Sequence, residues 1–169
     1  ANSLNGDGKL LLHAPKVQPA DRFDYDPLDP VPTVGGQSMF ADSTGPRDRQ
    51  LVERRDDLLV YSTPIFEKDI EITGPVELVL HASSSATDTD FTGTLVDVHP
   101  GGLAVHICEG IVRARFRESY EEPSLIEPDA VYEFRFSLWE TSNLFRTGHR
   151  IRLEISSSNF PRFDRNLNT

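Results

Sequence analysis

One cysteine, one methionine and one tryptophan in 169 residues leave little room for several kinds of chemistry. A lone Cys108 cannot close an internal disulfide. It sits beside Ile107 in an apolar run and reads as a buried, inert thiol, which favours a reducing, cytoplasmic setting. Basic residues are few, 17 against 27 acidic ones, and the formal net charge is −10. Such a surface repels phosphate backbones and anionic lipid, so neither nucleic acid nor a membrane surface is an expected partner. No apolar run approaches the roughly 20 residues needed to cross a bilayer as a helix, and the first residues lack a basic-then-apolar leader pattern. Also missing is any 11-residue window with helical apolar spacing.

What is present is alternation with a period of two. Val76, Leu78, Leu80 and Ala82 share one face; Tyr132, Phe134, Phe136 and Leu138 share another, and Ile151, Leu153 and Ile155 a third. Each pattern predicts a strand with one buried and one wet face. Ile111, Arg113, Arg115 and Arg117 extend the pattern, and Lys9–His13, Leu58–Tyr61, Ile70–Thr73, Phe91–Val98 and Val105–Cys108 add candidates. Turn signals separate them at Thr73-Gly74-Pro75, Pro100-Gly101-Gly102, Glu127-Pro128-Asp129 and Arg146-Thr147-Gly148. Short helical turns fit Arg47–Val52 and Thr141–Phe145. Eight or nine strands without a long helix predict one all-β domain over residues 1–169, an antiparallel two-sheet sandwich of jelly-roll type. Residues 21–55 differ: rich in Pro, Gly and Asp, they predict an irregular segment laid across a surface, conceivably that of a partner domain.

No catalytic group emerges. Gly36-Gln37-Ser38-Met39-Phe40 lacks the second glycine of a nucleophile elbow. His99 and His106 flank the hairpin signal and could face each other, but two histidines without a third ligand make a poor zinc site. Asp88, Asp90 and Asp97 carry calcium-type oxygens but no EF-hand spacing, so turn capping is the plainer reading. No metal and no cofactor are expected. The arginine rows Arg113, Arg115, Arg117 and Arg150, Arg152 read as cross-strand partners of carboxylates. Trp139, at the end of an aromatic strand, is expected in the core or an interface. Arg162-Phe163-Asp164-Arg165 reads as a structural clamp, with Asp164 bridging Arg162 and Arg165.

Ordered stretches then carry a resemblance. They are Tyr25 to Gly36, Asp57 to Thr63, Ile72 to Val76, Ala82 to Phe91, Leu95 to Val98, Gly110 to Arg115 and Ser156 to Asn166. Together they resemble the C-terminal β domain of the X-Pro dipeptidyl-peptidase, cocaine esterase and α-amino-acid ester hydrolase family. The resemblance implies a galactose-binding-like jelly roll attached after an α/β-hydrolase domain of the same protein, which holds the serine, histidine and aspartate. This chain would be non-catalytic, a C-terminal fragment packing on that domain. By the same resemblance Met39 and Phe40 approach the substrate pocket. The family continues past Thr169 into a further strand, so an open sheet edge, or a dimer contact there, is expected. A stand-alone carbohydrate-binding module is the alternative, and a metal-dependent β enzyme a weaker third.

Overall fold

The computed structural model describes residues 8–13, 15, 19–39 and 43–168. Seven strands are defined among them: β1 (Gly8–Lys9), β2 (Leu59–Ser62), β3 (Ile70–Ala82), β4 (Asp90–Val98), β5 (Ala104–Arg113), β6 (Tyr132–Phe145) and β7 (Arg150–Ser156). The only regular helical pieces among the described residues are short 3-10 turns at Val52–Arg54 and Ala114–Phe116. The strands form a five-stranded sheet in the order β1-β2-β7-β4-β5 and a two-stranded sheet, β3-β6. Every pair is antiparallel except β1 with β2.

The core lies between the sheets. Phe91, Leu95, Cys108 and Val112 from the large sheet meet Phe134, Phe136, Leu138 and Phe145 from β6, with Leu78 and Leu80 of β3 packed alongside. Phe91 and Phe134 pack with ring centroids 4.8 Å apart, an arrangement that adds to simple area burial.

The opposite face of the large sheet is covered too. Residues 21–39 and 43–55 and the tail after Ser156 lie across it, so β4 is buried on both faces along its whole length. Val31, Val52, Leu58 and Val60 form a second apolar cluster there. The segment is tied down by backbone bonds: Thr33 N–H to the Phe160 carbonyl (2.7 Å), Phe160 N–H to Val31 (2.9 Å) and Arg49 N–H to Ala104 (2.8 Å). The surface it crosses is therefore this chain's own sheet.

Several expected boundaries move. Thr73-Gly74-Pro75 is not a turn, because β3 runs through it with a register shift between Pro75 and Glu77. Thr141–Phe145 is strand rather than helix: on β6 an extra residue at Leu138-Trp139 makes a bulge, with Trp139 at φ 71°, and the inward face switches from even to odd positions. The arginine strand ends at Arg113, so Arg115 and Arg117 lie in and after the 3-10 turn. Trp139 is 52% exposed and is not a core residue.

Candidate functional site: a buried polar layer and the loop it carries

Beneath the irregular segment, the outer face of the large sheet is polar. Glu154 of β7 is 2% exposed and takes a two-pronged grip from Arg49, at 2.9 Å from Nε and 2.7 Å from Nη2. Arg49 also donates to the Val34 carbonyl (2.6 Å). Arg152 holds Glu53 (2.6 Å) and Ser62 (2.9 Å). Burial, then the nearby Glu154 charge, pushes the Glu53 carboxyl up to about 7. Asp90 pairs with Arg113 and Asp88 with Arg115, both at 2.8 Å, and the Asn166 amide bridges both carboxylates. The arginines on β5 and β7 with a named partner thus meet carboxylates, and the calcium reading of Asp88 and Asp90 gives way to guanidinium pairs.

Glu109 of β5 is a further hub of this layer. It is 3% exposed and accepts from Arg162 and from the Asn159 amide (2.6 Å), with His106 Nε2 3.5 Å away. Burial raises its carboxyl, but His106, Arg162 and Arg49 outweigh that and hold it below the usual range.

Above this hub the chain must pass very close. A Cβ on Gly35 would lie 2.7 Å from His106 Cβ, and one on Gly36 would collide with the Glu109 carboxylate. Both glycines also have positive φ, 86° and 82°. Gly36 and Gly45 then exchange two backbone hydrogen bonds of 2.9 Å, closing the loop 37–44 at its base. Met39 projects from this loop at 98% exposure; Phe40 lies outside the described residues. Ser38 is buried and accepts from the Ser43 hydroxyl (2.9 Å). Next to the loop base opens a cleft of about 300 Å³, lined by Gln37, Pro46, His106, Glu109, Trp139, Asn143 and Arg162 among others.

The expected clamp takes another form. Arg162 reaches Glu109, and Arg165 donates to the Pro27 carbonyl (2.8 Å). Asp164 instead accepts the backbone N–H of Arg165 (2.9 Å). Nor do His99 and His106 converge: His106 belongs to the Glu109 hub, whereas His99 stacks on His149. Sequence reasoning singled out Arg162, set His106 against the wrong partner, His99, and missed Glu109 and Gly45. A repeated glycine spacing, Gly35-Gly36 and Gly45, was the one available signal. Burial pushes the Cys108 thiol up to about 11, so it is not a thiolate near neutral pH. Among the described residues no helix is long and apolar enough to cross a membrane.

Comparison with known proteins agrees with this architecture. The family model described as X-Pro dipeptidyl-peptidase C-terminal non-catalytic domain matches residues 1–169. The cocaine esterase of Rhodococcus sp. (strain MB1 Bresler) is 48% identical over 170 residues, which cover 100% of this chain and 30% of that protein. An aminopeptidase structure from the marine sediment archaeon Thaumarchaeota archaeon superposes with a TM-score of 0.87 at 31% identity, over 98% of this chain and 30% of the other. A selenomethionine-labelled α-amino acid ester hydrolase gives 0.78 at 33% identity, over 85% and 26%. The chain thus spans under a third of the length of these relatives, and it belongs to the X-Pro dipeptidyl-peptidase C-terminal non-catalytic domain family.

Proposed function

We propose that this chain is a jelly-roll, galactose-binding-like domain that packs on an α/β-hydrolase domain of the same protein and walls part of its substrate pocket. The hydrolase domain would carry the serine nucleophile and cleave an ester or amide through an acyl-enzyme. The chain crosses between two facing sheets four times, at β2–β3, β3–β4, β5–β6 and β6–β7, and this supports the jelly-roll reading. The observation that carries the pocket role is the 37–44 loop. Two positive-φ glycines and a double hydrogen bond fix its base, yet Met39 at its tip touches little of this chain. An apolar side chain presented from a fixed base suits an apolar neighbour. Arg162 and Arg165 act as the clamp that holds the tail, and through it this face, in place. Among the described residues β3 and β6 form strand pairs only with each other, and their outer edges are where a second copy of the chain would add. A cytoplasmic setting fits the buried Cys108 thiol.

Met39→Ala and Phe40→Ala in the full-length hydrolase test the reading. We expect the ratio of kcat/KM between a bulky and a small acyl substrate to change by roughly 10-fold or more, with melting temperature preserved. Unchanged ratios for both variants would remove the pocket role. The carbohydrate-module reading keeps one point in its favour, Trp139 half exposed over a cleft with Glu109, Asn143 and Arg162. Calorimetry with oligosaccharides separates the two: saturable heat that vanishes in Trp139→Ala belongs to the module reading alone.

A further inference from the structure

Two turns that are remote in the chain meet at one end of the large sheet. The β4–β5 turn is closed by the His99 N–H to Leu103 and the Gly102 N–H to His99, both 2.9 Å. The β6–β7 turn is closed by the His149 N–H to Arg146, also 2.9 Å. A Cβ on Gly148 would stand 3.1 Å from Pro100 Cγ, so the turns touch. The His99 and His149 rings stack with centroids 4.3 Å apart and planes inclined by 33°.

Asp97 lies beside this pair, two residues before His99 on β4. Its backbone is fixed between Val105 of β5 and Ile151 of β7. Oδ1 is 2.9 Å from His149 Nδ1, and Oδ2 is 3.7 Å from His99 Nε2. Asp97 is also the exception among the buried carboxylates. Glu53, Asp57, Asp88, Asp90, Glu109 and Glu154 each meet an arginine. Among the described residues, the ion pairs of Asp97 are with the two imidazoles instead. A buried carboxylate without a permanent cation is costly, and a bound dication would supply the missing charge.

The donor set and its spacing suit one. One ligand atom from each of Asp97, His99 and His149 lies within 4.8 Å of the others. In a tetrahedral zinc site, bonds of about 2.0 to 2.1 Å put donors about 3.3 Å apart; here one Asp97 oxygen is 2.9 Å from His149 Nδ1 and the other is 3.7 Å from His99 Nε2, so the carboxylate reaches both imidazoles on that length scale. Two imidazoles and one carboxylate favour zinc-type ions over calcium or magnesium, which take oxygen donors. Each ligand sits on a hairpin whose backbone is already hydrogen-bonded. The geometry points to a divalent transition-metal site, best matched by zinc, formed by Asp97, His99 and His149. It has three protein ligands and a fourth position on the solvent side of His99, where a water binds. The metal clips the β4–β5 turn to the β6–β7 turn.

Cobalt(II) titration of the chelator-treated, full-length protein tests the site, because cobalt in a zinc-type site absorbs visible light. We expect an absorption band saturating at one equivalent, its displacement by Zn²⁺, and a rise of several degrees in melting temperature with Zn²⁺. His99→Gln changes a partly exposed side chain and leaves the fold intact. It should weaken cobalt binding by at least about 10-fold, the cost of losing even an outer-shell partner; Asp97→Asn and His149→Gln should do the same. His81→Gln, an exposed histidine on β3, should leave binding unchanged. Absence of the band, its persistence in His99→Gln, or equal loss in His81→Gln would each overturn the assignment.

Discussion

Glu109 ties three distant parts of the chain together: Asn159 and Arg162 of the tail, His106 of its own strand, and the glycine pair that crosses above it. Removing Arg162 leaves a carboxylate that is 3% exposed without its guanidinium. Breaking such a pair from one side costs about 3 to 5 kcal/mol. Arg162→Ala should therefore lower the melting temperature markedly and loosen the tail, read as faster amide exchange after Ser158. Asp164→Ala should stay within about 0.5 kcal/mol, because Asp164 is exposed and accepts only a neighbouring backbone N–H. A larger loss in Asp164→Ala than in Arg162→Ala would put the clamp back on the aspartate. The tail's importance was readable in its unusual run of arginine, phenylalanine and aspartate. Its partners were not, since Arg162 reaches back 53 residues and Arg165 reaches back 138. Local spacing carries no trace of pairs that far apart.

Strands were legible where one face meets the core and the other meets water. β3 shows this along its whole length, and its alternation was plain on either side of Thr73-Gly74-Pro75, where Gly and Pro read as a turn. β4 is buried on both faces, so its mixture of threonine, glycine and valine alternates only weakly. The bulge at Trp139 reverses the inward parity of β6, which made its second half read as something other than strand. Close approach of the sheets was equally silent. Gly110 of β5 faces the backbone of β6, and a Cβ there would collide with the Ser137 carbonyl. Gly110→Ala must push the two sheets apart, and overpacking of this kind costs about 1 to 3 kcal/mol. Gly101→Ala is the control, since a Cβ there meets nothing within 4 Å and φ is not positive. Equal thermal stability of the two variants would show that β5 and β6 are not packed this closely.

At the scale of the whole molecule, the buried acid–arginine pairs described are made within the chain. The acid–arginine layer is consumed in fastening residues 21–55 and the tail to the large sheet. The chain contains no glycine-flanked serine of the elbow type, and its one thiol is buried with its ionisation pushed up to about 11. Ester hydrolysis through an acyl-enzyme needs a nucleophile within reach of a base and donors for the oxyanion. The proposed division of roles assigns these to the rest of the protein, since the chain spans under a third of its relatives' length. The purified 169-residue chain, mixed with an activated aryl ester, should therefore release product no faster than buffer, and a serine-reactive phosphonate should leave its mass unchanged. On the function proposed above, the full-length protein should show both turnover and labelling, with the label outside residues 1–169. Phosphonate-sensitive turnover by the isolated chain, or a label on Ser38 or on Ser156 to Ser158, would place the chemistry within these sheets and reverse the assignment of roles.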